Sequence, residues 1–135
     1  MKSVLFIFVT LLFTGFTVKA QTAKSNVILA SKIFSDSLQN NPALVLLDVR
    51  TPEEFSEGHL KNALNYDFKS ADFKAKIVEL DKAKTYYLYC KSGKRSAAAT
   101  AEMRSNGFKS IYELDGGITK WVADGMQTVK EIGKH

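Results

Sequence analysis

The chain holds one cysteine, Cys90, and three cations follow it within five residues: Lys91, Lys94 and Arg95. The segment Cys90-Lys91-Ser92-Gly93-Lys94-Arg95-Ser96 follows the apolar run Tyr86-Tyr87-Leu88-Tyr89. It precedes a strong helix former, Ala97-Ala98-Ala99-Thr100-Ala101-Glu102-Met103. This order predicts a strand, a short glycine-containing loop and a helix. A helix N-terminus presents unpaired backbone N–H groups and partial positive charge, which together bind anions. A thiol held there shifts toward its thiolate, and neighbouring Lys and Arg push it the same way. The thiolate is the nucleophile. These residues therefore point to a reactive sulfur beside a place for an anionic substrate. The alternative is a cysteine that packs only as a small hydrophobe, and the cluster of cations argues against it.

The elements that must position this loop alternate along the chain. Val27-Ile28-Leu29 reads as a first strand. Ser31 is a candidate N-cap for a helix through about residue 39, with Ile33, Phe34 and Leu38 at helical spacing. Asn40-Asn41-Pro42 closes it. Ala43-Leu44-Val45-Leu46-Leu47, ending at Asp48, lacks alternation and suits a strand buried on both faces. Thr51-Pro52-Glu53-Glu54 is a helix start, with Thr51 as N-cap, Pro52 at the first position and Glu54 completing a capping box. Further strands are expected at 63–66, 86–89 and 111–114, and helices at 72–80, 96–106 and 118–124. Gly107 is placed to stop the second of these helices. Gly116-Gly117 reads as a break before the third. The alternation predicts an α/β fold, a small three-layer domain whose central parallel β-sheet is flanked by helices. In such sheets ligands bind at the C-terminal ends of strands, and Cys90 falls at such an end.

Residues 1–20 open with Met1-Lys2-Ser3, run through an apolar stretch from Val4 to Phe13, and end Val18-Lys19-Ala20. This is the pattern of a cleaved signal peptide, with Gln21 as the mature N-terminus. The apolar stretch is short for a membrane span; an uncleaved anchor is the alternative. The expectation is an exported, periplasmic protein with one domain over residues 27–133. Removing Lys2 and Lys19 lowers the formal charge from +5 to +3. No basic run carries interleaved aromatics, so no nucleic-acid partner is expected. The mild positive bias suits a small anionic substrate. A lone cysteine cannot form an internal disulfide, and a spare thiol is a liability in an oxidising compartment. Its presence leans toward a use.

Four segments in order resemble the rhodanese family of single-domain sulfurtransferases. They are Leu47-Asp48-Val49-Arg50 with Glu53-Glu54-Phe55 and Gly58-His59-Leu60; Lys61-Asn62-Ala63-Leu64-Asn65; the Cys90 to Ser96 loop; and Leu114-Asp115-Gly116-Gly117-Ile118-Thr119-Lys120-Trp121. The resemblance implies a small α/β domain and transfer of a sulfane sulfur from a donor such as thiosulfate to cyanide or a thiol. It implies Cys90 as nucleophile and persulfide carrier. Lys91, Ser92, Gly93, Lys94 and Arg95 would form the substrate-binding loop, and Arg50 would line the pocket. No metal or organic cofactor is implied. A partner protein in a sulfur or redox relay is a second possibility. Related phosphatase and arsenate-reductase domains use a loop one residue longer than the six residues from Cys90 to Arg95. They often place His before the cysteine, where this chain has Tyr89. Sulfur transfer is therefore preferred to oxyanion chemistry.

The remaining candidates have plainer readings. Asp48 suits a structural ion pair or cap. His59 stands alone and has no partners for a metal. Trp121 is expected in the core. Glu53 and Glu54 read as carboxylates at a helix start. Lys69, Lys74, Lys76, Lys82 and Lys84 read as a solvated face.

Overall fold

The computed structural model describes residue 15 and residues 26–131; the expected signal peptide otherwise lies outside them. Strands and helices alternate as β1 (Val27–Leu29), α1 (Ser31–Asn40), β2 (Val45–Asp48), α2 (Pro52–Glu57), β3 (Leu64–Asn65), α3 (Phe73–Val78), β4 (Tyr86–Tyr89), α4 (Lys94–Ser105), β5 (Ile111–Leu114) and α5 (Gly117–Ala123). The strands form one sheet in the order β1-β5-β4-β2-β3, and every pairing is parallel.

β4 lies at the centre, and all its side chains are buried. Side chains alternate along a strand. Tyr86, Leu88 and Cys90 accordingly join Phe73 and Ile77 of α3 and Ala99 and Met103 of α4. Tyr87 and Tyr89 face the other way and pack with Phe34 of α1 and with Ile118 and Trp121 of α5. This two-sided burial explains why β2 and β4 read as continuous apolar runs. Leu88 and Ile77 are both fully buried, and each such side chain contributes about 1.5–3 kcal/mol. Register sets Asp48 beside Tyr89, so Arg50 and Cys90 emerge together at the same edge of the sheet.

Several boundaries differ from expectation. Ser31 is the first residue of α1 and Ala30 its cap; the Ser31 hydroxyl is buried without a hydrogen-bond partner. α4 begins at Lys94, two residues before the expected start, because Gly93 takes a left-handed φ of 107° and turns the chain into the helix early. At its other end the Gly107 and Phe108 N–H groups bond the Arg104 and Met103 carbonyls at 3.0 and 3.2 Å, the stop expected there. The chain returns at Val129, which forms an antiparallel bridge with His59 just after α2.

Candidate active site

The β4–α4 loop curls its backbone around the Cys90 sulfur. The Gly93 N–H donates to Sγ at 3.1 Å, and the Ser96 hydroxyl stands 3.6 Å away. α4 has no side-chain cap and no acidic residue in its first turn. Its N-terminal N–H groups are therefore open to an anion. Burial pushes the Cys90 thiol up, but the N–H groups of Ser96, Gly93 and Ser92 and the Ser96 hydroxyl outweigh it, and the net shift is downward. Hydrogen bonds to the charged form favour that form. The thiol is thus acidified by oriented backbone dipoles.

The outer side of the loop is held by α5. The Ile118 N–H bonds the Cys90 carbonyl at 2.9 Å, and the Thr119 N–H bonds the Lys91 carbonyl at 3.1 Å. Gly117 lies so close that a Cβ there would meet both carbonyl oxygens at 2.5 Å. These contacts turn the two carbonyls away from the sulfur and leave N–H groups facing it. Gly116-Gly117 is therefore more than a break. It lets a second helix dock against the loop.

Arg95 lies in the first turn of α4, near enough to Cys90 for their charges to interact. Its guanidinium grips Glu54 with two bonds of 2.7 and 2.9 Å. The Arg95 guanidinium holds the Glu54 carboxyl down to about 2. This fork ties α2 to the β4–α4 loop. The arrangement suits a sulfur nucleophile inside a small ring of N–H groups.

A model of the "Rhodanese-like domain" matches residues 32–124. The chain belongs to the rhodanese-like domain family. It is 30% identical over 103 residues to a sulfurtransferase of Allochromatium vinosum, covering 76% of this chain and 94% of that protein. The fold matches a rhodanese-related protein of Thermoplasma volcanium with a TM-score of 0.69 at 28% identity, over 78% of this chain and 99% of the other. It also matches a polysulfide-sulfur transferase homodimer of Wolinella succinogenes, with a TM-score of 0.66 at 31% identity over 82% of each chain. Other relatives are longer. The chain spans 60% of an uncharacterized protein of Synechocystis and 29% of a tRNA uridine(34) hydroxylase of Buchnera aphidicola.

Within this rhodanese-like domain the expected site residues fall into three groups. Cys90, Ser92 and Gly93 form the cradle. Lys91 and Lys94 are exposed at its rim, and neither has a salt-bridge partner among the described residues. The two arginines are engaged elsewhere. Arg50 is 5% exposed. Its Nε and Nη2 bind Asp48 at 2.7 to 3.1 Å, and Nη2 also bonds the Gly58 carbonyl at 2.7 Å. The guanidinium lies over the Tyr89 ring, 5.7 Å from its centre. Arg50 thus holds the end of β2, and Asp48 is the structural pair expected. Burial beside Asp48 pushes the Tyr89 phenol far up, so it serves as a neutral acceptor for the Leu60 N–H at 3.0 Å.

His59 stacks on Phe55 at 3.7 Å, and its Nδ1 lies 3.0 Å from the Phe55 carbonyl, a structural role. Among the described residues no group of three or more His, Cys, Asp or Glu could hold a metal. No helix among them is long and apolar enough to cross a membrane. A groove of about 600 Å³, bounded by Leu38, Leu44, Leu60 and Trp121, includes no residue of the Cys90 loop. Glu54, Gly117, Ile118 and Thr119 emerge as positioning residues that local sequence patterns had explained otherwise.

Proposed function

We propose that this protein is an exported, periplasmic sulfurtransferase that carries a sulfane sulfur on Cys90. The observation that carries this reading is the buried, acidified sulfur inside a six-residue loop whose N–H groups point at it. The Cys90 thiolate attacks the outer sulfur of thiosulfate. The S–S bond of the donor breaks, and its electron pair leaves with sulfite. The persulfide on Cys90 keeps the negative charge within reach of the loop N–H groups. Cyanide or a thiolate then attacks the outer sulfur, the new S–S bond breaks, and the Cys90 thiolate returns. Neither half needs an external redox partner.

Lys91 and Lys94 suit the sulfonate end of the donor, which would project from the ring toward solvent. Export rests on the pattern of residues 1–20. The test is thiosulfate-to-cyanide transfer by the purified protein, with intact mass measured before cyanide is added. Turnover with a one-sulfur mass gain is expected, and Cys90→Ser should lose both while keeping the same fold. Stoichiometric persulfide without turnover would move the reading to a relay that hands sulfur to a partner protein. Full turnover in Cys90→Ser would end the mechanism.

A further inference from the structure

The three cations that follow Cys90 are treated differently. Lys91 and Lys94 are exposed and have no ion-pair partner among the described residues. Arg95 is paired. Glu54 takes both of its terminal nitrogens, at 2.7 and 2.9 Å. The two side chains are 17% and 28% exposed. Two parallel bonds and partial burial set this pair apart from surface ion pairs, which hold weakly.

The carboxylate is also fixed from its own side. The Thr51 hydroxyl donates to Glu54 Oε1 at 3.3 Å and accepts the Glu54 N–H at 3.3 Å. Glu54 is thus seated by the cap of its own helix. It holds the guanidinium between the first turns of α2 and α4.

Without this partner Arg95 would carry a free charge beside the sulfur. The Glu54 bonds push the Arg95 guanidinium up, and the Cys90 charge adds to the shift, so the two groups stand within Coulomb range. A free guanidinium is a planar fork that binds two oxygens of an oxyanion. Such a fork recognises oxygens and not sulfur. Thiosulfate, sulfite and sulfate all carry those oxygens, and only thiosulfate carries the outer sulfur that Cys90 attacks. An arginine free at this place would hold the leaving group and the wrong anion as readily as the donor. Binding of that uniform kind does not speed the chemical step. The Gly93 N–H, by contrast, is aimed at the sulfur itself.

We propose that Glu54 is a positioning residue for anion selection: it holds both arms of Arg95 and keeps the guanidinium from binding oxyanions beside Cys90. The proposal rests on Cys90 as the reacting thiolate and on no particular donor. Its test uses no sulfur transfer, so a lack of turnover would end the transferase reading and leave this one measurable.

The experiment is alkylation of Cys90 in the full chain by two probes, the uncharged iodoacetamide and the anionic iodoacetate. Rates are taken against pH, which gives a Cys90 profile for each variant. The ratio of the two rates cancels the thiolate fraction and reports the charge met by the incoming anion. Glu54→Gln leaves Arg95 without its counter-ion. The iodoacetate-to-iodoacetamide ratio should rise about fivefold at low salt and fall back near 1 M salt, where the screening length is about 3 Å. Sulfate should then protect Cys90 from iodoacetamide more strongly in Glu54→Gln than in the unaltered protein. Replacing both residues by Gln removes the pair as a neutral unit and should restore the unaltered ratio. A glutamate that only ties two helices together would change both rates alike and leave their ratio in place, which would overturn the proposal. A rise that survives in the double variant would overturn it too, since Glu54 would then act through its own charge. If Glu54→Gln does not fold, the double variant decides. An unaltered ratio supports the proposal; a lower one means that Arg95 draws anions to the sulfur even while Glu54 holds it, and ends the proposal.

Discussion

Two neighbouring strands of this sheet end in the same way and are treated in opposite fashion. β2 and β4 run side by side, and each feeds a loop and then a helix. At α2 the positive end is filled from within. The Thr51 hydroxyl accepts the Glu54 N–H at 3.3 Å, Pro52 has no N–H to offer, and Glu53 and Glu54 lie in the first turn. At α4 the cap is a glycine without a side chain, and Lys94 and Arg95 open the helix. One end has its anion-binding capacity used up, and the other keeps it for a sulfur. The two ends are also joined. The carboxylate of α2 crosses to Arg95 and cancels a charge that would otherwise sit over the loop. The free cations left at the rim are Lys91 and Lys94.

The sharpest way to break this contrast is to disturb the open end from behind. Gly117→Ala places a methyl 2.5 Å from the Cys90 and Lys91 carbonyl oxygens, at a φ of 61° that L side chains rarely adopt. The loop must move or α5 must undock. A misplacement on the order of 1 Å costs about a hundredfold in rate, so sulfur transfer should fall by about that factor or more. Gly93→Ala has open space around it but a φ of 107°. Equal losses in the two variants would show that strain, and not contact with α5, shapes the loop.

The bridge between the ends is next in size. Glu54→Gln should destabilise the fold by about 1.5–3 kcal/mol at pH 7, the range for hydrogen bonds to charged groups. The folded carboxyl sits at about 2, below its ordinary 4.5. Its contribution is therefore present above about pH 4.5 and is lost as pH falls toward 2. Denaturant unfolding at a series of pH values should show the variant and the unaltered protein converging on the acid side. A gap that persists undiminished at pH 3 would mean that the charge is not what the pair contributes.

Much of this contrast was legible before any coordinates. The cap at Thr51, the stop at Gly107 and the glycine loop after Cys90 are local signals, set by residues a few positions apart. Continuous apolar runs showed that β2 and β4 are buried on both faces. The contacts that complete the site are not local. Glu54 had a sufficient explanation in its own helix start, and nothing near it pointed to Arg95, 41 residues on. Glu113 lies in the short strand Ile111-Tyr112-Glu113-Leu114, where an alternating pattern would put a charge outside. Strand order placed it under α4 instead. Arg50 and Arg95 both look like anion ligands by type and spacing, and both are taken by carboxylates that pattern reading cannot locate.

The rim lysines sharpen the contrast through charge alone. Replacing Lys91 and Lys94 together by Gln should lower kcat/KM for thiosulfate by about tenfold at low salt, with the gap closing as salt screens the attraction. Alkylation of Cys90 by the uncharged iodoacetamide should change by no more than about twofold, because backbone dipoles and Ser96 set the acidity of the sulfur. A large change in alkylation would return the lysines to the thiol and weaken the case for the loop N–H groups.

Thr51→Ala is the smallest test and bears on the closed end only. It removes the cap hydroxyl and should cost about 1 kcal/mol. The freed N–H groups of α2 still face no sulfur, and the Cys90 profile should be unchanged. The substitution would open a second helix end without making it a site, since no nucleophile lies there and the Arg95 fork still engages Glu54. A shift in Cys90 reactivity on losing this cap would show that the α2 end reaches the sulfur through Glu54 and Arg95. The two ends would then be one coupled device and not a filled end beside an open one.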